Sequence, residues 1–188
     1  MAKLTFGMMV SLDGYINDAH GDFNWGQIDE EVHAHANAEA MRIGTEIYGR
    51  RMYEVMVYWE TVDDGDDTEA EFGRQWRAKD KIVVSKSLDA VASQRTRLVP
   101  ALSLDDMRRL KANATSDIAV AGPTLAATYL AAGLIDEIGI YYVPVVVGAG
   151  TPMFQHVPGT LKLARLEERA FANGVVFVRY STSTTRSS

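Results

Sequence analysis

The sequence contains no cysteine. Disulfides, thiolate metal sites and cysteine nucleophiles are therefore excluded together. Proline is sparse, five in 188 residues, and no low-complexity linker divides the chain. No apolar run approaches the roughly 20 residues of a membrane span. The opening stretch MAKLTFGMMVSLDGYI has no long apolar segment followed by a small-residue cleavage site, so no signal peptide is expected. Basic charge is also short: 19 Lys and Arg stand against 25 Asp and Glu, a formal net charge of −6. That balance argues against non-specific nucleic-acid binding, which needs basic surface to displace counterions. What is present, 47% apolar and 23% charged residues, is ordinary for a globular domain. The expectation is a soluble cytoplasmic protein with one domain over residues 1–181 and a short flexible tail at 182–188.

Along the chain, strand-like and helix-like stretches alternate. Residues 4–12 read as a strand with both faces apolar, followed by an Asp13-Gly14 turn and a polar surface loop over 17–22. From Asp29, Val32, Ala36 and Ala40 recur at helical spacing, with Asp29 as N-cap and Glu30 and Glu31 in the first turn. A short strand over 45–49 runs into a helix over 50–56. The acidic run 63–67 reads as a solvated loop, and 69–77 as a helix. A strand at 81–85 and a helix at 104–112, capped by Ser103 with Asp106 in its first turn, come next. Residues 118–121 form an apolar strand, Pro123 opens a helix that Gly133 stops, and 138–147 is a second buried strand. Gly148 to Pro152 reads as a flexible loop. Two antiparallel strands, 161–170 and 175–180, are joined at Asn173-Gly174. The fold class is therefore α/β, a three-layer α/β/α arrangement whose mainly parallel mixed sheet ends in an antiparallel hairpin.

Two junctions have the outline of an anion site, because the first N–H groups of a helix have no partner within it. One is Gly49-Arg50-Arg51, the other Ala121-Gly122-Pro123-Thr124-Leu125. Ser85 and Lys86 lie just past another strand. Each has a bland reading as well: solvent-exposed arginines, a surface lysine, a simple strand connection. Trp25 is open between core packing and a substrate platform, and Asp29 and Glu30 between helix-start acids and catalytic ones. Of the four histidines, His33 and His35 are two apart and cannot share a helix face, so no metal site is expected.

Four segments in register carry a family resemblance: Met9 to Ile16, Tyr48 to Tyr53, Val83 to Ser87, and Gly133 to Glu137 continuing through Pro144 to Gly150. With them the chain resembles the dihydrofolate reductase-like superfamily. Within it, the chain is most similar to the group holding the reductase domain of the bifunctional riboflavin-biosynthesis enzyme and many bacterial reductases. The resemblance implies NADPH bound across the carboxyl ends of central strands. Gly49, Arg50 and Arg51 would meet its phosphates, Ser85 and Lys86 the adenine ribose and 2′-phosphate, and Ala121, Gly122, Pro123, Thr124 and Leu125 the pyrophosphate. The stretch from Leu12 to Ile16 would pass the nicotinamide, with Val10 and Trp25 on the substrate side. The family's usual glycine pair is Ala121-Gly122 here, which leaves open whether the cis peptide of the folate enzymes is kept.

The implied activity is hydride transfer from NADPH to a small heterocycle, either pterin or dihydrofolate-like or a riboflavin-pathway pyrimidine. Asp29, Glu30 or bound water would supply the proton. A nucleotide-binding module without turnover is the alternative on the same fold. No acidic residue stands at a strand end where a ribose 2′-hydroxyl would need one, which favours NADPH over NADH. The apolar strands 138–147 and 175–180, the latter expected at a sheet edge, suggest a homodimer.

Overall fold

The computed structural model describes residues 2–26, 28–62 and 67–182. Most of the acidic run, 63–66, and the tail beyond 182 lie outside them. The elements in chain order are β1 (Leu4–Ser11), α1 (Glu30–Ala40), β2 (Ile43–Gly49), α2 (Arg50–Met56), a 3-10 turn (Val57–Glu60), α3 (Asp67–Ala78), β3 (Asp80–Val84), β4 (Thr96–Val99), α4 (Leu104–Asn113), β5 (Asp117–Ala121), α5 (Pro123–Ala131), β6 (Glu137–Val143), β7 (Ala164–Ala170) and β8 (Val176–Ser181). The strands form one sheet in the order β4-β3-β2-β5-β1-β6-β8-β7. Six strands run parallel, and β8 pairs antiparallel with both β6 and β7.

Alternation along the strands divides the molecule into layers. Leu4, Phe6 and Val10 of β1, Ile118 and Val120 of β5, and Ile138 and Ile140 of β6 point to one face and join Met107, Ala126 and Tyr129 of α4 and α5 in the largest core cluster. On the other face there are two smaller clusters. One gathers Val32 of α1 with Val143, Phe171, Val175 and Phe177; the second gathers Tyr48, Tyr53, Trp76 and Val83. Between these two, the central strands carry small side chains.

Local signals placed the helix starts well. The Asp29 carboxylate accepts the Val32 N–H, and Ser103 and Asp106 form a reciprocal capping box at α4. Gly133 takes φ 64 after α5. Three expectations differ. β4 was not legible: it is four residues long and lies at an edge. β6 ends at Val143 instead of 147, because Pro144 has no N–H to continue a ladder. And β8 is not an edge strand; it is covered on both sides, by β6 and β7, so the backbone argument for a homodimer fails at that strand.

Candidate active site

The carboxyl ends of β3, β2 and β5 lie side by side, since Gly49 registers with Val84 and Tyr48 with Ala121. The three expected loops therefore line one edge of the sheet in the order Ser85-Lys86, Gly49-Arg50-Arg51, Ala121 to Leu125. Gly122, with φ 100, turns the chain from β5 into α5 and caps that helix without any side-chain hydrogen bond. A side chain at φ 100 would be strained, so the residue type follows from the turn. The Ala121–Gly122 peptide is trans. Added Cβ atoms would meet nothing within 4 Å at Gly49 and only Met52 Cβ at 3.7 Å at Gly122, so the edge is open above both glycines. Pro123 is buried, Leu125 packs on the large core, and Thr124 Oγ1 donates to Gln155 Oε1 at 3.2 Å.

The cations of this edge are not equivalent. Arg50 is engaged with Glu54 at 2.7 Å and Ser87 at 3.1 Å. Arg51 and Lys86 are exposed and have no ion-pair partner among the described residues. Ser85 Oγ shapes its own loop by accepting the N–H groups of Ser87 and Leu88, both at 3.1 Å. Ile16 is held by its N–H to Thr151 O at 2.9 Å. There the expected flexible loop 148–152 is fastened to residues 13–17: Gly148 N–H donates to Asp13 at 2.8 Å and Thr151 N–H to Asn17 Oδ1 at 2.9 Å. Gly150 lies so close to Asn17 that an added Cβ would fall 1.8 Å from its carbonyl oxygen.

A cleft opens between β5 and β1. β1 is registered with β6 from Thr5 to Ser11 but with β5 only from Leu4 to Phe6. Odd residues of β1 aim their main-chain groups at β5, as Lys3 O does toward Ile118 N–H, and even ones at β6, as Leu4 O does toward Asp136 N–H. Ser11 N–H finds Tyr15 O. Among the described residues Met9 has neither a β5 residue registered beside it nor a turn partner, so its N–H and C=O face the cleft unpaired. The sequence marked Met9 only as the first residue of a family segment and gave no sign of this main-chain role.

Beneath α1 lies a cavity of about 230 Å³. Its floor is the bare row where Gly7 registers with Gly139, with Ala121 one step past the Phe6–Val120 pair; Ala36 and Ala40 of α1 roof it. A Cβ at Gly7 would make only ordinary contact, 3.5 Å to Gly139 O, so packing alone leaves room there for a side chain. The charged walls are internally paired. Arg42 bonds Glu137 at 2.9 Å, Glu39 at 3.2 Å and Asp117 at 3.3 Å. Arg179 bonds Glu39 at 2.6 Å and also Glu167, Lys3 bonds Glu137, and Lys79 bonds Glu46 at 3.0 Å. Burial works against the Glu137 carboxylate, but the hydrogen bonds from Lys3 and Arg42 outweigh it and hold its pKa below the usual range. At Glu39 burial prevails and the pKa is raised.

The residues expected on the substrate side have different surroundings. Val10, 1% exposed, is inside the large core, on the sheet face opposite the cavity. Trp25 packs, as Met9 and Tyr141 do, against the cluster of Val32, Val143, Phe171, Val175 and Phe177, and donates from Nε1 to Asp22 O at 2.9 Å. Asp29 caps α1 and Glu30 is exposed in its first turn; neither lines the cavity. Among the described residues no group of three or more His, Asp or Glu could hold a metal ion, and no helix is long and apolar enough to cross a membrane.

A model of the family described as the RibD C-terminal domain matches residues 2–177. The uncharacterised YyaP protein of Bacillus subtilis (strain 168) is 28% identical over 179 residues, 95% of this chain and 94% of its own. Among solved structures, a pyrimidine reductase-like protein from Corynebacterium diphtheriae superposes with a TM-score of 0.69 at 14% identity, covering 96% of this chain and 91% of that one. A diaminohydroxyphosphoribosylaminopyrimidine deaminase/5-amino-6-(5-phosphoribosylamino)uracil reductase from Thermotoga maritima does so with a TM-score of 0.68 at 15% identity. This chain is covered to 96% there but spans only 56% of that two-activity protein. At these identities the superpositions speak for the fold.

Proposed function

The chain belongs to the RibD C-terminal domain family, and on that premise we propose that it is an NADPH-dependent reductase of a small, flat nitrogen heterocycle. The observation that carries the reading is the alignment of three loops on adjacent parallel strands with an open cleft beside them. In open α/β sheets ligands bind outside the carboxyl ends of the strands. The uncapped first turn of α5 favours a pyrophosphate, and the unpartnered Arg51 and Lys86 suit a 2′-phosphate. Arg50 can join them, because an exposed pair such as Arg50–Glu54 holds it by no more than about 1 kcal/mol. The adjacent donor and acceptor of Met9 match the acceptor and donor of a carboxamide, which orients a nicotinamide in the cleft. A nicotinamide cofactor, when bound, supplies hydride, while the protein supplies position and a dry site.

The cavity beneath α1 suits the acceptor. It adjoins the cleft through Gly7 and Ala121, its floor is flat because glycine faces glycine, and its charges are already paired. An uncharged planar ring can enter without breaking an ion pair. Calorimetric titration with NADPH and NADH tests the cofactor half. Binding of NADPH with clearly weaker binding of NADH is expected, and no heat with NADPH at millimolar concentration would overturn the reading.

A further inference from the structure

Reduction of a C=N or C=O bond needs a proton as well as a hydride, and the carboxylates lining the cavity are all tied to cations. One titratable pair, a wall residue and the group behind it, is not. Tyr141 stands two residues beyond Gly139 on β6, beside Met9 on β1, and lines the cavity. From Ala121 it is two strand spacings away, roughly 10 Å across the glycine floor. Its hydroxyl is 2.8 Å from His35 Nδ1. His35, on the buried side of α1, is enclosed by Phe171 and Phe177, with ring centroids at 5.3 and 4.7 Å. Its Nε2 faces the part-exposed carboxylate of Glu167 at 3.9 Å. A tyrosine on the cavity wall, an imidazole hydrogen-bonded behind it and, across a 3.9 Å gap wide enough for a bridging water, a part-exposed carboxylate lie in line as a path for a proton.

We infer that Tyr141 gives the proton that completes reduction of a C=N or C=O bond of a heterocyclic substrate held in this cavity, and that His35, positioned behind it, restores the proton. The inference rests on the reductase reading above. As the hydride from the reduced nicotinamide of that reading reaches the acceptor carbon, the π electrons of the C=N or C=O bond move to the heteroatom. The heteroatom takes the proton of the Tyr141 hydroxyl, and the Nδ1–H of the His35 imidazolium replaces it. His35 is left neutral and regains a proton from water on the Glu167 side. Burial and the neighbouring Glu39 and Glu167 carboxylates all push the Tyr141 pKa upward, so a lasting phenolate is disfavoured and the two transfers must be coupled.

The groups facing His35 set the direction of its pH response. Burial disfavours the imidazolium, Glu39 on α1 and Glu167 on β7 favour it, and Arg169 on β7 opposes it; the outcome is a pKa below the ordinary histidine value. Arg179 on β8 is neutralised by its two carboxylates. The proton-donating form therefore declines as pH rises, and kcat should fall with it.

A hydrogen bond that merely pinned α1 to β6 would affect stability and leave the pH profile unchanged, which decides the experiment. Wild type, Tyr141→Phe and His35→Gln are compared by NADPH titration and by histidine-ring NMR with and without 5-amino-6-(5-phosphoribosylamino)uracil. Steady-state NADPH oxidation is then followed across a pH series. Added pyrimidine should shift the His35 ring signals and leave those of His20 and His156 in place. Tyr141→Phe should bind NADPH as wild type does, hold KM for the pyrimidine within about twofold, and lose kcat by roughly 10²-fold. In both variants the fall of kcat with rising pH should disappear. His35 signals indifferent to the pyrimidine, or a Tyr141→Phe enzyme with wild-type kcat and pH profile, overturn the relay and leave the reductase reading standing. A wild type that does not bind NADPH overturns the reading and the relay with it.

Discussion

The His35 imidazole is enclosed by Phe171, Phe177 and the Tyr141 hydroxyl, and with so little water around it the charged form is disfavoured. Its folded pKa is lowered, so below the unfolded value of about 6.5 the folded chain holds fewer protons there than the unfolded one. The stability contributed by keeping His35 neutral is complete above about pH 6.5 and is lost as pH falls through the lowered folded pKa. A thermal midpoint that drops as pH falls below about 6.5, and a flatter profile for His35→Gln, are the expected outcomes in a calorimetric series. The carboxylates held low act further down: Asp106, at about 2 through its bonds to Ser103 and Arg109, and Glu137. None of this was legible locally. The sequence spacing of His33 and His35 excluded a shared helix face, correctly, but the partner of His35 is 106 residues away on a strand whose tyrosines read as core.

At the scale of elements, what was legible was what local chemistry fixes. α2 spans the residues expected of it, and α4 begins just after Ser103, its N-cap, because a capping box is written into four consecutive residues. β4 was missed since four residues at an edge show too little periodicity, and β6 was drawn too long because apolar residues continue past the proline that ends it. The loop 148–152 was taken as flexible from its glycines, yet at Gly150 the small residue permits close approach. Gly150→Ala would force that loop off Asn17 and endanger the bonds of Thr151 to Asn17 and Ile16. Loss of about 2 kcal/mol or more is expected, read from the shift of the denaturation midpoint. A midpoint unchanged from wild type would show that the two loops do not depend on each other.

For the whole molecule, alternating strands and helices announced a parallel sheet with an antiparallel end. Strand order did not follow, because it depends on pairings across more than a hundred residues, as between β1 and β5. That is why β8 was expected at the edge that β7 occupies. β7 carries a register shift between Arg165 and Glu167 and mixed charges, two devices that discourage a second sheet from adding on. A homodimer of this chain would instead be held by exposed apolar side chains such as Phe154, Val157, Leu161, Leu163 and Leu166. Light scattering at twice the chain mass, reverting to one chain mass in Leu161→Asp/Leu163→Asp, is the expected result; a wild-type monomer removes the dimer. The cavity was equally invisible beforehand, since it is built from side chains that are missing at Gly7 and Gly139, 132 positions apart.

The unpaired main chain of Met9 makes this residue a reporter of occupancy. Its neighbours Met8 and Val10 belong to the ladder with β6, so their amides should exchange with deuterium only on large-scale opening. The Met9 amide, facing the cleft, should exchange far faster, one quick site inside a slow strand. Saturating NADPH should slow it by more than about tenfold while Met8 and Val10 change little. Exchange at Met9 that ignores the nucleotide would mean that the nicotinamide does not reach β1.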